Sequence, residues 1–307
     1  MTTHTLTLLD GGMSRELARI GAPFQQPEWS ALAIIEAPEK VTQAHNNFIQ
    51  SGANIITTNS YALVPFHIGE ERFAQSAKSL AATAGHAAKD AVIQNNIGTK
   101  IAASLPPMFG SYRPDLYQAD QLSRIATPLI EGLVPYADLW LIETQSLIQE
   151  ALDINTLINQ ICNNQKPVWV AFTLEDEQPS NQATLRSGES VKDAVTAMLN
   201  AKVTGILFNC CQPEVIEHAL TVTLDVLKDL QAEHVQIGAY ANAFAPQTKE
   251  ATANEGLDEV REDLTPLSYL EWAKKWHQQG ATLIGGCCGI GPEHIAQLNH
   301  HFAPLKG

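Results

Sequence analysis

The 307-residue chain contains no uninterrupted apolar run approaching the roughly 18 residues that a membrane-spanning helix needs, so an integral membrane protein is not expected. Its opening, Met1-Thr-Thr-His-Thr-Leu6, carries neither a basic nor an apolar leader segment, and a soluble cytoplasmic protein is expected. Positive charge is scarce: 19 Lys and Arg face 33 Asp and Glu, for a formal charge of −14, the wrong sign for gripping a phosphate backbone. Nucleic acid is therefore not an expected partner. Cysteine is sparse too, with five residues, four of them in the adjacent pairs Cys210-Cys211 and Cys287-Cys288. That is a poor disulfide framework and a better set of metal-binding or reactive thiols. Ser/Gly-rich linkers, blocks of like charge and short-period repeats are also missing, so residues 1–307 read as one continuous domain. With 45% hydrophobic residues the chain has ample material for a core, which excludes disorder.

What is present is an alternation of short β-branched or apolar runs with longer stretches of helical period. Strands are predicted at Thr5–Leu9, Asn54–Thr58, Lys100–Ser104, Asp138–Ile142, Val168–Phe172, Val203–Phe208, Val235–Ala239 and Thr282–Gly285. Helices are predicted from Pro38 to Gln50 and at Glu70–Gln94, Asp120–Tyr136, Ser146–Asn163, Ser190–Ala201, Pro213–Gln231 and Leu267–Gln278. Proline at a first turn (Pro38, Pro213) and glycine beyond an end (Gly52, Gly280) follow the usual asymmetry of helix termini. A crossover long enough for a helix after each strand makes neighbouring strands parallel, and eight such units can close into a (β/α)8 TIM-type barrel. An open doubly wound sheet is the runner-up. Its GxGxxG turn is missing after the first strand, where Asp10-Gly11-Gly12-Met13 stands instead.

Catalytic groups of such a barrel come from the C-terminal strand ends. Those ends hold Asp10, Thr58-Asn59, Ser104, Glu143-Thr144, Thr173, Asn209-Cys210-Cys211, Asn242 and Gly286-Cys287-Cys288. Three thiolates from strands six and eight supply three positions of a tetrahedral zinc ion and leave one open, the pattern of a catalytic site. Glycines 285, 286 and 289 free the backbone around the cysteine pair, whose members would face opposite ways on an ideal strand. Period alone does not choose between Cys210 and Cys211. Cys162, inside a helix, reads as a small buried hydrophobe. Glu143 follows the apolar run Leu139–Ile142 and needs a cation or several donors, a need that a substrate ammonium group would meet. Asp10 serves equally as a turn residue or as a second such carboxylate. Trp29 lies outside any periodic core stretch and fits stacking on a cationic ligand or plain packing.

Several of these segments together resemble the homocysteine S-methyltransferase family, nearly end to end. They are Asp10-Gly-Gly-Met-Ser-Arg-Glu-Leu17, Thr57-Thr-Asn-Ser-Tyr61, Ile142-Glu-Thr144, Asn209-Cys210, Ile284-Gly-Gly-Cys-Cys-Gly289 and Pro292-Glu-His-Ile295. The resemblance implies an α/β barrel with zinc on Cys210, Cys287 and Cys288, leaving Cys211 as a neighbour. It implies that Asp10 and Glu143 hold the amino end of homocysteine, with Gly11, Thr58, Asn209 and Trp29 as further candidate substrate contacts. The reaction so implied is methyl transfer from a sulfonium or quaternary ammonium donor, foremost S-methylmethionine or S-adenosylmethionine, to the homocysteine thiol, giving methionine. Two loops depart from the family pattern. Leu105–Arg113 occupies the place of a Gly-Pro-Tyr-Gly loop, and Tyr240-Ala-Asn-Ala-Phe244 replaces a Tyr-Pro-Asn form. A redox or metal-handling protein cycling Cys287-Cys288 as a vicinal dithiol is the alternative, and a hydrolase using Asp10 and Glu143 ranks third, because it leaves the cysteines unexplained.

Overall fold

The apolar runs become β1 (Thr7–Leu8), β2 (Ile55–Thr57), β3 (Lys100–Leu105), β4 (Leu139–Gln145), β5 (Val168–Phe172), β6 (Gly205–Asn209), β7 (Gln236–Tyr240) and β8 (Leu283–Ile284). The source is a computed structural model that describes residues 6–163, 166–177, 183–246 and 260–303. All neighbouring strands pair in parallel in the order β1-β8-β7-β6-β5-β4-β3-β2. The two ends of that order meet. A parallel bridge joins Leu9 to Ile55, Asn54 N donates to Leu8 O at 2.8 Å, and Leu8 N donates to Asn54 Oδ1 at 2.8 Å. Sequential order with a closing seam is the expected (β/α)8 barrel and rules out the open sheet.

The helices are α1 (Met13–Arg19), α2 (Ala31–Glu36), α3 (Pro38–Gln50), α4 (Pro65–Ile68), α5 (Glu70–Asn95), α6 (Ala119–Leu133), α7 (Ile148–Cys162), α8 (Val191–Asn200), α9 (Pro213–Asp229), α10 (Pro266–Gln278) and α11 (Pro292–Phe302). Their starts follow local chemistry. Proline opens α3, α9, α10 and α11, where its missing N–H is no loss, while Ser190 and Thr265 cap α8 and α10 by accepting from Asp193 N and Ser268 N. Each long helix buries one face. In α6 that face is Leu122, Ile125, Ala126, Leu129, Ile130 and Leu133, at three- and four-residue spacing.

Strand alternation divides the apolar residues into two cores. Leu9, Ile55, Ala102, Leu139, Leu141, Trp169, Ala171, Leu207, Tyr240 and Leu283 fill the barrel interior. Their sequence neighbours, such as Ile56, Trp140, Phe172 and Phe208, point outward under the helices. The interior is thus a packed plug below the C-terminal mouth, with polar groups such as Asp10, Ser104 and Glu143 above it.

The predicted elements hold with local differences. Strand β8 stops at Ile284, so Gly285 belongs to the following loop, and β4 runs on to Gln145, which brings Glu143 into the strand. Thr5, the predicted start of the first strand, lies outside the described residues. Helices α1, α2, α4 and α11 have no counterpart among the predictions. The first three are four to seven residues long, too short to show a helical period. Cys162 ends α7 half-buried against the outer core, close to the role expected of it.

Candidate metal centre

The centre is built where β6 and β8 end. Strict alternation along β6 would send Cys210 outward with Phe208 and Cys211 inward. The backbone turns left-handed at Cys210 (φ 53°) and reverses the order. Cys211 is fully buried in the outer core, and burial pushes its thiol well up. Cys210 instead meets the loop after β8. Cys287 Sγ lies 2.9 Å and Cys288 Sγ 4.0 Å from Cys210 Sγ, and all three sulfur atoms fall within 4.8 Å of one another. Of the two neighbours that period left open, Cys210 is the one whose sulfur meets the pair. Hydrogen bonds from Cys287 and Cys288 hold the Cys210 thiol well below the ordinary thiol range, while those same contacts push Cys287 and Cys288 up.

The cysteine loop rests on the chain that follows β1. Gly12 N donates to Ile290 O at 2.8 Å and Gly286 N donates to Asp10 O at 2.9 Å. A Cβ on Gly12 would stand 2.6 Å from Cys287 O, and one on Gly11 would stand 2.3 Å from Ile290 O. Both glycines of Asp10-Gly11-Gly12 are thus required by close backbone approach to the cysteine loop. The motif Pro292-Glu-His-Ile295 is a buttress beyond the loop. Gly291 N donates to His294 Nδ1 at 3.1 Å, which leaves Nε2–H to donate to Leu264 O at 3.0 Å.

Glu143 continues the inward set Leu139 and Leu141 on β4. A one-residue bulge between Ile142 and Gln145 follows it, with Thr144 left-handed (φ 58°). Its carboxylate accepts from Ser104 Oγ and, at 3.1 Å, from Tyr240 Oη. Burial pushes Glu143 up to about 7, against the opposing pull of those two donors. Asp10 accepts from Thr57 N at 2.7 Å and Thr57 Oγ1 at 3.0 Å, and burial, with some repulsion from Glu143, pushes it up to about 7. Two buried carboxyl groups raised to about 7 and close enough to feel each other are a pair that a cation would stabilise.

Thr58 and Asn209 sit at the same mouth with their side chains already engaged. Thr58 Oγ1 accepts from Ser104 N at 3.0 Å and contacts Ser60 Oγ at 2.9 Å. Asn209 grips Thr144 twice, accepting from its N–H at 3.0 Å and donating to its hydroxyl at 2.9 Å. Trp29, left-handed at φ 51°, packs edge-on to Phe24 at 5.7 Å. The next residue is tied to the rim, because Asn59 Nδ2 donates to Ser30 O at 2.9 Å.

A further set of residues lies beside the thiols without having been singled out by sequence. Tyr112 Oη is 3.2 Å from Cys210 Sγ, and the Arg186 guanidinium covers the Tyr112 ring at 4.5 Å. Arg186 is itself buried, paired with Asp176 at 2.9 Å. These residues lie on loops, where no period announces a direction. Tyr240 was legible in principle: it ends β7 on the inward face, two residues after Gly238.

Three convergent thiols are a suitable donor set for a thiophilic metal. Thiolates about 2.3 Å from a tetrahedral zinc ion lie about 3.8 Å apart, within the span seen here. Among the described residues no fourth His, Cys, Asp or Glu joins the group, so one coordination position is left for another ligand.

The profile of a family described as homocysteine S-methyltransferase matches residues 7–302. Homocysteine S-methyltransferase YbgG of Bacillus subtilis (strain 168) is 25% identical over 325 residues, covering 100% of this chain and 97% of that protein. Homocysteine S-methyltransferase 1 of Zea mays is 28% identical over 319 residues, covering 95% and 93%. Among solved structures, the metallated form of the homocysteine methyltransferase MmuM from Escherichia coli superposes with a TM-score of 0.75 at 23% identity over 97% of each chain, a likeness of fold.

Proposed function

Since the chain belongs to the homocysteine S-methyltransferase family, we propose that it transfers a methyl group from a small sulfonium donor to the thiol of homocysteine, yielding methionine, with zinc held by Cys210, Cys287 and Cys288. The observation that carries this reading is the convergence of three sulfur atoms from β6 and the β8 loop at the barrel mouth. Zinc bound there would keep the homocysteine sulfur deprotonated at neutral pH, where a free thiol is mostly protonated.

The remaining work falls to the chain's own side chains. Asp10 and Glu143 receive the substrate ammonium group. Their shared elevation to about 7 is relieved when a cation arrives, so binding releases protons. Ser104 and Tyr240 fix the Glu143 carboxylate, and Thr57 fixes that of Asp10. Asn209 holds the bulge at Thr144, which sets the direction of Glu143. Orientation of this kind, with the sulfur facing the methyl carbon in line, is the barrel's main contribution to the rate. Attack by a thiolate on a cationic donor neutralises charge, so the donor's side of the pocket needs no strong dipoles. The loops Leu105–Arg113 and Tyr240–Phe244 border that side and are proposed to select the donor.

The test is to replace Cys287 by Ala and measure bound zinc together with methionine formation from homocysteine, offering S-methylmethionine and S-adenosylmethionine separately. Loss of both metal and activity is expected. Full activity at wild-type metal content would overturn the proposal, and wild-type protein that binds zinc yet forms no methionine from either donor would favour the dithiol alternative.

A further inference from the structure

A site with three ligand thiolates and one substrate thiolate poses a selection problem: a methyl donor that reaches one sulfur can reach another. Methylation of a ligand would destroy the centre. The three cysteines are not equivalent in this respect. Cys210 Sγ receives the hydroxyl of Tyr112 at 3.2 Å, whereas among the described residues no hydroxyl is bonded to Cys287 or Cys288. The same hydroxyl lies 3.4 Å from the Cys210 carbonyl, which also accepts from Thr173 Oγ1 at 3.1 Å. The sulfur, at 3.2 Å, is the nearer of the two acceptors the tyrosine faces.

The chain goes to some length to aim this hydroxyl. Tyr112 is left-handed (φ 65°), an uncommon conformation for a bulky residue, and so is its acceptor Cys210 (φ 53°). The ring is clamped by the buried guanidinium of Arg186. That guanidinium is in turn held by Asp176 and donates from Nε to Thr173 Oγ1 at 3.2 Å. Asp176 closes the ring of contacts by accepting from Gln212 N at 3.1 Å, two residues beyond Cys210. Tyr112 also belongs to Leu105–Arg113, a loop proposed above to face the donor.

We propose that Tyr112 is a specificity-determining positioning residue that protects Cys210 from methylation, an inference that rests on the zinc reading given above. A hydrogen bond to a thiolate occupies a lone pair and is stronger to an anion than to a neutral sulfur, so it lowers the nucleophilicity of the sulfur that receives it. The suppressed side reaction breaks the donor's S–CH3 bond, returns that electron pair to the donor sulfur, and forms a Cys210 Sγ–CH3 bond from a thiolate lone pair. On this proposal the homocysteine sulfur is the one left without such a bond and so stays the better nucleophile.

The experiment compares wild type with Tyr112→Phe, which keeps the ring under Arg186 and deletes only the hydroxyl. Zinc per chain is measured first. Each protein is then incubated with S-methylmethionine or S-adenosylmethionine without homocysteine, and a methyl adduct is sought on the Cys210 peptide by mass spectrometry. Zinc at one per chain in both, with the adduct accumulating about tenfold faster in the variant, is the expected result. The cobalt-substituted variant should also show its sulfur-to-metal charge-transfer band at lower energy, because the thiolate has lost a donor. Equal adduct rates with zinc bound in both, or an adduct confined to Cys287 or Cys288, would overturn the proposal and leave the zinc reading intact. Wild-type protein without zinc would overturn both.

Discussion

The two ends of the barrel use the same rare backbone conformation for opposite purposes. At the N-terminal end, left-handed residues follow helices: Asn96 after α5, Asn163 after α7, Lys202 after α8 and Gln231 after α9. There the conformation ends a helix and turns the chain toward the next strand, a routine use in which Asn or Gly is favoured. At the mouth the left-handed residues are Trp29, Tyr112, Thr144 and Cys210, among them aromatic and β-branched types that pay the most for it. Each of the last three is held by side-chain hydrogen bonds or a buried ion pair. Strain at one end is punctuation. At the other it aims side chains, and the neighbouring bonds exist to maintain it.

Substitutions that separate aiming from folding sharpen this contrast. The largest effect is expected from Gly12→Ala, whose new Cβ would meet Cys287 O at 2.6 Å and push the cysteine loop outward. Metal affinity, measured by competition with a chromophoric chelator, should fall about 10–100-fold while far-UV circular dichroism is unchanged. Next comes pH. Asp10 and Glu143 are raised to about 7 in the free protein and must be ionised to hold an ammonium group, so homocysteine binding should weaken as pH falls through 7. Calorimetry should find at least about a tenfold loss between pH 8 and pH 6, with proton release on binding near pH 7. The same elevation carries the opposite sign for folding. The ligand-free protein gains stability from these two groups at acid pH and loses it as pH rises through 7.

Thr144→Gly comes third. It relieves the left-handed strain but deletes the hydroxyl that Asn209 grips, so kcat/KM should fall about tenfold with stability within about 1 kcal/mol of wild type. The smallest effect belongs to the other end. Lys202→Gly removes strain where nothing is aimed, and chemical denaturation should show a gain of up to about 1 kcal/mol at unchanged activity. Equal functional effects of Thr144→Gly and Lys202→Gly would break the distinction between the two ends.

The same contrast explains what could be read from sequence. Barrel strands repeat with a period of two and outer helices with a period near 3.6, so Val168–Phe172 was foreseen without error and most other elements to within a few residues. The cysteines were legible because two adjacent thiols among glycines have few structural uses. The bulge at Glu143-Thr144 and the reversal at Cys210 are single-residue departures from period, and period cannot announce its own interruption. Arg186 and Asp176 pair although they stand ten positions apart in sequence, a pairing written in no spacing rule. Tyr112 stood within a loop already noted for its departure from the family form, but nothing local linked it to a cysteine 98 positions later.

The seam between β1 and β2 has a consequence for how the molecule breathes. Among the described residues, a bridge at Leu9 and Ile55, the bonds of Asn54, and the grip of Asp10 on Thr57 close the cylinder there. A strip opening along this line would carry Gly11 and Gly12, the floor under the cysteine loop. Opening of the cylinder and release of a metal held by the three cysteines would on this account be one event. Amide exchange at Leu9 and Thr57 would then slow in step with occupancy of a centre to which neither residue is directly bonded.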